Sequence, residues 1–550
     1  MENRNKMKLS LITSLIILLV CPLFAAGEYD KGLAFYRSKS YAQAKEMFII
    51  AAKEQNNGNA YFYLGEMEKT DGKYREAVQY YEKAVNTESI SRTNMRNAYW
   101  SIIVFQEQWN DYEKMVLTCK EVWYKFQDQN ARQKIDSTIN RQQWSENDDA
   151  ITAYEKGMEF KKQSKIDEAS LSFKEAIRID SSFLAPKFEL GLIALHNDDM
   201  NSAEPYLNAV ISKIPYYAEA SLALADVHFS KRKYSSAVNL YEKAEKLGFF
   251  DSSIIFHMNI RKAQCYYSEG KLNAGLESAL TANRLQPNKM EVLTILSAIY
   301  IKQKDFDKAI ETLKKAETLQ PANLDVLYQM GSIYYSRKDE RYIKNFDRIF
   351  DLTKNKQTIP YPLIIPVLVK GHYEKKNYTR VNDIFASLEG RAENSEMALI
   401  SAKSLYYTGQ YAQSIEKFRR VQLNDDERVM LATAFVKNNQ RDQARALIGS
   451  LYGNKVFYEK ALREPLIAQI VNEVEKEKAE QERIAQEKME QERKARELAE
   501  QEREARARAD QERRAREKAE MEKEIREKAE REHRRQSSSQ TEIQTEPQNR

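Results

Sequence analysis

Five histidines and three cysteines are the side chains of this 550-residue sequence best suited to bind a metal ion or to act as a nucleophile. Metal sites and catalytic pairs on helices usually place such residues three or four positions apart. No histidine here lies within four residues of another histidine or of a cysteine. The histidines are His196, His228, His257, His372 and His533. We therefore expect no metal site, and we interpret His228 and His372 as helix-packing residues.

The sequence motifs of common active sites are also missing from the chain. It contains no G-x-x-x-x-G-K-[ST], no G-x-G-x-x-G, no G-x-S-x-G, no H-E-x-x-H and no C-x-x-C. Carboxylate pairs carry no information, because 82 residues are Asp or Glu and close pairs arise by chance. The sequence therefore predicts a protein that is not an enzyme and that needs no cofactor.

The overall composition predicts helices as the elements that carry these residues. Only 16 glycines and 11 prolines occur, less than half their usual frequencies, so turns and strand breakers are scarce. A 42% hydrophobic content provides enough apolar surface for a large core. The 87 basic residues exceed the 82 acidic ones by only five, and a dedicated nucleic-acid binder would carry a larger basic surplus. We expect no nucleic-acid partner.

The N-terminus has the pattern of an export signal. Three basic residues in the first eight precede an uncharged, mostly apolar run from Leu9 to Val20, and a triplet of small residues ends at Gly27. The run is shorter than the roughly 20 residues that span a bilayer. We therefore predict that residues 1–27 are a signal peptide that is cleaved after Gly27. An uncleaved anchor and a lipidated Cys21 are the alternatives. The predicted location is the bacterial periplasm, with the membrane-anchored envelope as the alternative.

The two remaining cysteines, Cys119 and Cys265, lie on predicted helices among apolar neighbours. A pair of cysteines so far apart in the sequence is a weak disulfide framework. We therefore predict that both thiols act as small hydrophobic core groups.

Glycine, aromatic and alanine residues recur in a fixed order along most of the chain. One clear copy comprises Gly65, Gly72, Tyr74, Ala77, Tyr81 and Ala84. The aromatic residue of the turn, or its substitute, stands at positions 41, 74, 112, 166, 200, 234, 272, 306, 340, 378, 411 and 441. Four of the eleven steps between these positions are 34 residues long, two are 33 and three are 38. A repeat of this period predicts successive pairs of antiparallel helices.

This pattern resembles the tetratricopeptide repeat (TPR) family over about residues 28 to 455. The resemblance implies an all-α solenoid of about 10 to 12 helical hairpins whose concave face binds protein partners. Glu340 and Arg441 occupy the turn-aromatic position, so those two units diverge. Tyr154 and Met158 stand where some family members place residues that clamp a partner's terminal carboxylate, which makes that binding mode unlikely for this chain.

The step of 54 residues between Tyr112 and Ile166 interrupts the array. Gln127 to Gln143 is predicted to form a linking helix, and we place a boundary near Ser145 to Asp149, where Ser and Asp are candidate N-caps. This divides the repeats into an array of about three units over 28–145 and one of about eight or nine over 146–455. All four tryptophans lie within this step or just before it, where they fill an irregular core or form an exposed docking patch: Trp100, Trp109, Trp123 and Trp144.

The resemblance also assigns candidate partner-binding residues on the inner face of the first helices. They are aromatic side chains, which bury much area at a small entropic cost: Phe62, Tyr154, Phe188, Phe229, Tyr267, Tyr328, Tyr335, Tyr373 and Tyr406. Any single ring could instead pack on the neighbouring unit.

The C-terminal region is predicted to be a long charged helix over residues 456–535. Residues 471–535 hold 21 acids, 20 bases and no aromatic residue, and they are rich in strong helix formers. Acid-to-base pairs spaced i, i+4, such as Glu490 with Lys494, support a single helix. A coiled coil and a disordered charged tail are the alternatives, and the Ser/Gln/Thr-rich residues 536–550 should be loose.

These features predict a non-enzymatic scaffold of the bacterial cell envelope that mediates protein–protein interaction. The alternative is a structural spacer or collar in a large periplasmic assembly. The sequence does not indicate the partner or the oligomeric state.

Overall fold

A computed structural model describes residues 27–355, 360–388 and 394–539. The predicted signal peptide before Gly27 and the predicted loose segment from residue 540 onward lie outside these ranges. The described residues form 27 α-helices and no strand. In chain order the helices are α1 Glu28–Arg37, α2 Tyr41–Glu54, α3 Gly58–Thr70, α4 Tyr74–Val85, α5 Arg92–Gln108, α6 Tyr112–Phe126, α7 Gln129–Gln143, α8 Asp148–Lys162, α9 Ile166–Ile179, α10 Leu184–His196, α11 Met200–Lys213, α12 Ala218–Ser230, α13 Tyr234–Leu247, α14 Ser252–Ser268, α15 Leu272–Leu285, α16 Met290–Lys302, α17 Phe306–Leu319, α18 Leu324–Ser336, α19 Arg341–Thr353, α20 Ile364–Glu374, α21 Tyr378–Leu388, α22 Ser395–Tyr407, α23 Tyr411–Phe418, α24 Asp425–Lys437, α25 Arg441–Ser450, α26 Lys455–Leu462 and α27 Pro465–Ser539.

Helices α1–α6 and α8–α25 form, in sequence order, twelve pairs of a first and a second helix. At eleven of the twelve predicted turn positions the second helix begins at that residue, and the twelfth, α19, begins one residue later at Arg341. The structure therefore confirms the predicted all-α, TPR-type fold.

Each turn between a first and a second helix uses one residue in the left-handed region. That residue always lies two positions before the turn position, with φ between 56° and 80°. Only three of the twelve are glycine, at Gly72, Gly270 and Gly409, although other residues are strained in this conformation. The twelve turns therefore share one backbone conformation despite their different sequences.

Close approach of the two helices explains the glycines of the first helices. A Cβ atom on Gly65 would lie 2.6 Å from the ring of Tyr81, and one on Gly157 would lie 2.5 Å from the ring of Phe173. Both rings are fully buried. The missing side chain thus provides the space in which the aromatic core residue of the second helix packs.

The chain forms two compact units, one ending at Ile333 and the other beginning at Tyr334. The boundary predicted near Ser145 to Asp149 lies within the first unit. There the N-cap of α8 is Asn147, not Ser145 or Asp149 as expected, because its side chain accepts the Ala150 N–H at 3.0 Å.

The first unit contains a contact that the repeat pattern does not predict. The predicted linking helix is present as α7, and it packs with α6 into one core with residues from α10 to α13. Lys120 donates hydrogen bonds to the carbonyls of Glu245 and Lys246 at 2.7 and 2.9 Å, and Trp123 packs edge-on against Phe249. Residues more than 120 positions apart are therefore joined.

The four tryptophans differ in exposure. Trp100 and Trp123 are half-buried in the core around α7, where the Trp100 indole donates to Asp128 at 3.1 Å. Trp109 and Trp144 keep a large exposed fraction. Neither interpretation holds for all four.

The second unit ends in a helix that begins inside the core. The predicted charged helix from residue 456 proves to be two helices, the short α26 and the long α27. Ile467, Ile470, Val471 and Val474 of α27 are buried against α24, α25 and α26. From Gln491 to Arg535 every residue is exposed. The beginning of the predicted tail is therefore the last packed helix of the repeat body.

Within the described ranges, no helix combines the length and apolarity that crossing a membrane requires.

Candidate functional site

The structure places eight of the nine candidate aromatic rings at least partly at the surface. Phe62 is the exception: contrary to the expectation, it is only 7% exposed and packs against Tyr63 and Tyr81, so its ring offers little surface to a partner. Its ring fills the space between two helices. The partly exposed rings are Tyr154, Phe188, Phe229, Tyr267, Tyr328, Tyr335, Tyr373 and Tyr406.

Several of these rings in the first unit also contact the next helix pair. The Arg261 guanidinium lies 4.3 Å from the centroid of the Phe229 ring, and the Lys302 ammonium lies 4.6 Å from that of Tyr267. In each of these cation–π contacts the cation covers one face of the ring. The rings therefore stabilise the junction between repeats while the rest of their surface faces solvent.

Tyr154 is more enclosed than the others. Its ring lies within 5.3 to 5.6 Å of the rings of Trp144, Phe173 and Phe183. Burial raises the pKa of Tyr154 to about 12, with a smaller contribution from the charge of Glu189. Tyr154 therefore contributes mainly to packing between helices, and less of its ring remains for contact with a partner.

A buried polar group lies near Phe229. The Tyr241 hydroxyl donates to the Asp226 carboxylate at 2.5 Å. Burial raises the pKa of Asp226, opposed by the hydrogen bond from Tyr241 and by the charges of Arg261 and His257.

The second unit carries a continuous row of tyrosines, which we call the tyrosine ladder: Tyr373, Tyr378, Tyr407, Tyr406 and Tyr411. Neighbouring ring centroids in this order are 5.5, 4.5, 5.6 and 5.8 Å apart. Tyr378 and Tyr407 are stacked at 20°, and the other neighbours meet edge to face. The sequence predicted only Tyr373 and Tyr406 as binding residues. Tyr378 and Tyr411 begin second helices and Tyr407 ends a first helix, which are not the positions assigned to the inner face.

A second aromatic pair lines a cavity of about 560 Å³ in the same unit. Tyr335 and Tyr342 meet edge to face at 5.1 Å, and Gly371 lies against them. A Cβ atom on Gly371 would be 2.5 Å from the Tyr342 hydroxyl, so only glycine leaves this ring in place. The sequence analysis did not single out Tyr342, because the equivalent position in the other units is mostly polar.

His228 and His372 pack among neighbouring helices, as predicted. His372 is buried and its Nε2 lies 2.9 Å from Asp347, which also accepts two hydrogen bonds from Arg380. His228 is half-buried 3.3 Å from Glu204, and burial lowers its pKa. Across the described ranges, no three His, Cys, Asp or Glu side chains are grouped as metal ligands would be.

Both described cysteines are buried free thiols, which confirms their prediction as core groups. Burial raises the pKa of Cys119 and of Cys265 to about 12. Thiols of this kind are unreactive at neutral pH.

Comparison with known proteins identifies the repeats. The model of the "Tetratricopeptide repeat" family matches residues 29–91, and a "TPR repeat" model matches residues 298–337. No curated protein matches the sequence.

Solved TPR structures are similar to about a third of the chain. YrrB, described as "a TPR protein with an unusual peptide-binding site", is 16% identical over 34% of this chain and 93% of its own, with a TM-score of 0.30. MamA from Desulfovibrio magneticus RS-1 is 18% identical over 32% and 99%, with a TM-score of 0.29. Another MamA crystal structure is 17% identical over 30% and 96%, with a TM-score of 0.28.

Proposed function

We propose that this chain, which carries tetratricopeptide repeats, is a non-enzymatic scaffold that binds protein partners in the groove formed by its first helices. The supporting observation is the repetition of partly exposed rings at one place in the repeat. Phe229, Tyr267, Tyr373 and Tyr406 each lie five residues before the start of their second helix. An extended or helical partner meets such rings at regular intervals.

The proposal places the scaffold in the bacterial cell envelope, exported to the periplasm. It rests on the basic residues, the apolar run and the small residues that precede Glu28. N-terminal sequencing of the mature protein tests it. A chain that begins near Glu28 is the expected result, whereas recovery of Met1 in the membrane fraction, or of an acylated Cys21, would show an anchored protein.

A second candidate function is a structural spacer or collar of a large periplasmic assembly. The exposed part of α27 favours it, because 45 residues from Gln491 to Arg535 at 1.5 Å each span about 68 Å. Such a helix separates two attachment points without needing the groove.

Site-specific photocrosslinking in cells distinguishes these two functions. A photoreactive amino acid is placed at Phe229 or at Tyr373, and a control at Leu171, which is 66% exposed on the second helix α9. We expect one dominant partner to crosslink at the two aromatic positions and not at Leu171. Equal crosslinking at Leu171, or large self-assembled particles without a groove partner, would contradict the scaffold and support the spacer.

The double variant Tyr328→Ala with Tyr335→Ala provides the corresponding solution test. We expect it to weaken partner binding by more than it lowers the melting temperature. Affinity and stability are measured on the same preparation. If binding per folded molecule is unchanged, these two rings do not belong to the binding surface.

A further inference from the structure

We propose that the tyrosine ladder binds a proline-rich segment of a partner protein in the polyproline II conformation. This inference rests on the proposed function and names the chemistry of the partner at one end of the repeats. It follows from the spacing, ring geometry and hydrogen-bonding groups of the five tyrosines.

The spacing of the ladder suits a polyproline II helix. Tyr373 and Tyr406 occupy equivalent places on α20 and α22, which pack directly against each other. Axes of packed helices lie about 8 to 10 Å apart. A polyproline II helix has three residues per turn and rises about 3.1 Å per residue, so it advances about 9 Å per turn. Two residues three apart in such a segment are therefore separated by about the distance between the two helices that carry Tyr373 and Tyr406.

The ring geometry provides further aromatic surface around these equivalent positions. Tyr373 meets Tyr378 at 61° and Tyr406 meets Tyr411 at 72°, so the rings of each pair meet edge to face and are not stacked. Tyr407, half of whose surface is exposed, is stacked on Tyr378 between the two pairs. Proline rings are compact and apolar, and they pack well on aromatic faces. A polyproline II segment is also pre-formed, which reduces the entropic cost of binding.

The hydrogen-bonding groups of the ladder complement a chain of prolines. Proline has no N–H, so such a segment presents carbonyl acceptors that need donors. The tyrosine hydroxyls supply donors, because a phenol with an ordinary pKa of about 10 is protonated at neutral pH. The Lys437 ammonium, 5.6 and 5.2 Å from the Tyr406 and Tyr411 ring centroids, adds a cationic donor.

Calorimetric titration of the full-length protein with a ten-residue polyproline peptide tests the inference. A ten-residue Gly-Ser peptide is the ligand control. We expect saturable binding of polyproline alone, weakened at least about tenfold by Tyr407→Ala and less by Tyr407→Phe, which keeps the ring and loses the hydroxyl donor. The matched control Tyr41→Ala removes a tyrosine of equal exposure, 50%, from the first unit and should leave the affinity unchanged.

Three results would overturn the inference: no saturable binding of polyproline, equal binding of the Gly-Ser peptide, or equal losses in Tyr407→Ala and Tyr41→Ala. If Tyr407→Ala loses its helical circular dichroism, the affinity of the folded Tyr407→Phe variant decides, and an unchanged value counts against the ladder. Failure here is distinct from failure of the proposed function. A partner crosslinked at Phe229 and not at Leu171 would still establish a scaffold whose partner is not rich in proline.

Discussion

Individual residues of the turns store conformational strain that substitution can release. Lys304 adopts φ of 62°, and its backbone N–H donates to the Ile301 carbonyl, a bond that glycine keeps. Lys304→Gly should raise the free energy of unfolding by about 0.5 to 1 kcal/mol, because glycine adopts this conformation without a Cβ clash. Lys314→Gly, in the middle of α17, should lower it by about 1 kcal/mol. Urea denaturation compares the two, and a lower midpoint for Lys304→Gly would show that its side chain stabilises the turn.

Glu204 provides a test of electrostatics at a single residue. It accepts hydrogen bonds from Lys231 at 2.7 Å and Lys233 at 2.6 Å, which lower its pKa to about 2. A carboxylate with a lowered pKa stabilises the fold above its ordinary pKa of 4.5, and this contribution is lost as the pH falls towards 2. Glu204→Gln should therefore cost about 1 to 3 kcal/mol at pH 7 and less at pH 3.

The control for this pH test is Glu277→Gln, which alters an exposed carboxylate in the same unit. Urea denaturation of both variants and the wild type at pH 7 and pH 3 gives the comparison. An equal cost of Glu204→Gln at both pH values would mean that the shape of the side chain matters and its charge does not.

The residues of the candidate site could be predicted only in part. Tyr373 and Tyr406 follow from the repeat position, which is a local property of the sequence. Phe62 is also an aromatic residue of a first helix. Its ring is nevertheless part of the core, because neighbouring side chains such as Tyr81 enclose it. The stacking of Tyr407 on Tyr378 joins two helix pairs, and no spacing within one pair reveals it.

The positions of single helices agree with the sequence predictions where residue patterns within one repeat define them. The starts of the second helices were predicted because the turn residue and the small residues that follow it lie within one repeat. The packing of α6 and α7 against residues near Leu247 was not predicted, because a contact across more than 100 residues leaves no periodic pattern. The burial of Ile470 in α27 was also not predicted, because the charged sequence that follows dominates the composition of that region.

This last element carries a testable consequence. Ile470 is 1% exposed and packs in the core formed by α24, α25 and α26. Ile470→Ala should cost about 2 to 5 kcal/mol, because it leaves a cavity. Ile525→Ala makes the same chemical change on a side chain that is 62% exposed and should change stability by less than about 0.5 kcal/mol. Urea denaturation compares them, and equal effects would mean that α27 does not close the repeat body.

At the scale of the whole chain, the repeats and the exposed part of α27 are stabilised in different ways. The repeats are held by buried side chains, whereas every residue of α27 from Gln491 to Arg535 is exposed. Its stability must come from helix propensity and from ion pairs along its own surface. Of the i, i+4 pairs read from the sequence, the structure forms Glu490–Lys494 at 3.6 Å, Glu504–Arg508 at 3.6 Å and Asp510–Arg514 at 3.5 Å.

We therefore predict that this segment remains a single helix and does not form a coiled coil. A coiled coil needs apolar residues at alternating steps of three and four. Its larger apolar residues, Ile484, Met489, Leu498, Met521 and Ile525, are separated by steps of 5, 9, 23 and 4, so they form no continuous seam. A peptide of residues 475–535 should show strong helical circular dichroism that decreases in high salt, because screening weakens pairs worth about 0.2 to 0.5 kcal/mol each.

Sedimentation of the same peptide separates a single helix from an oligomer. A monomer at all concentrations is expected, with helicity independent of concentration. Ile525→Ala is the matched control, because removing an exposed apolar side chain should leave both mass and helicity unchanged if no seam exists. Helicity that rises with concentration and falls in Ile525→Ala would make α27 an oligomerisation element, and the structural spacer would then explain the whole molecule better than the scaffold does.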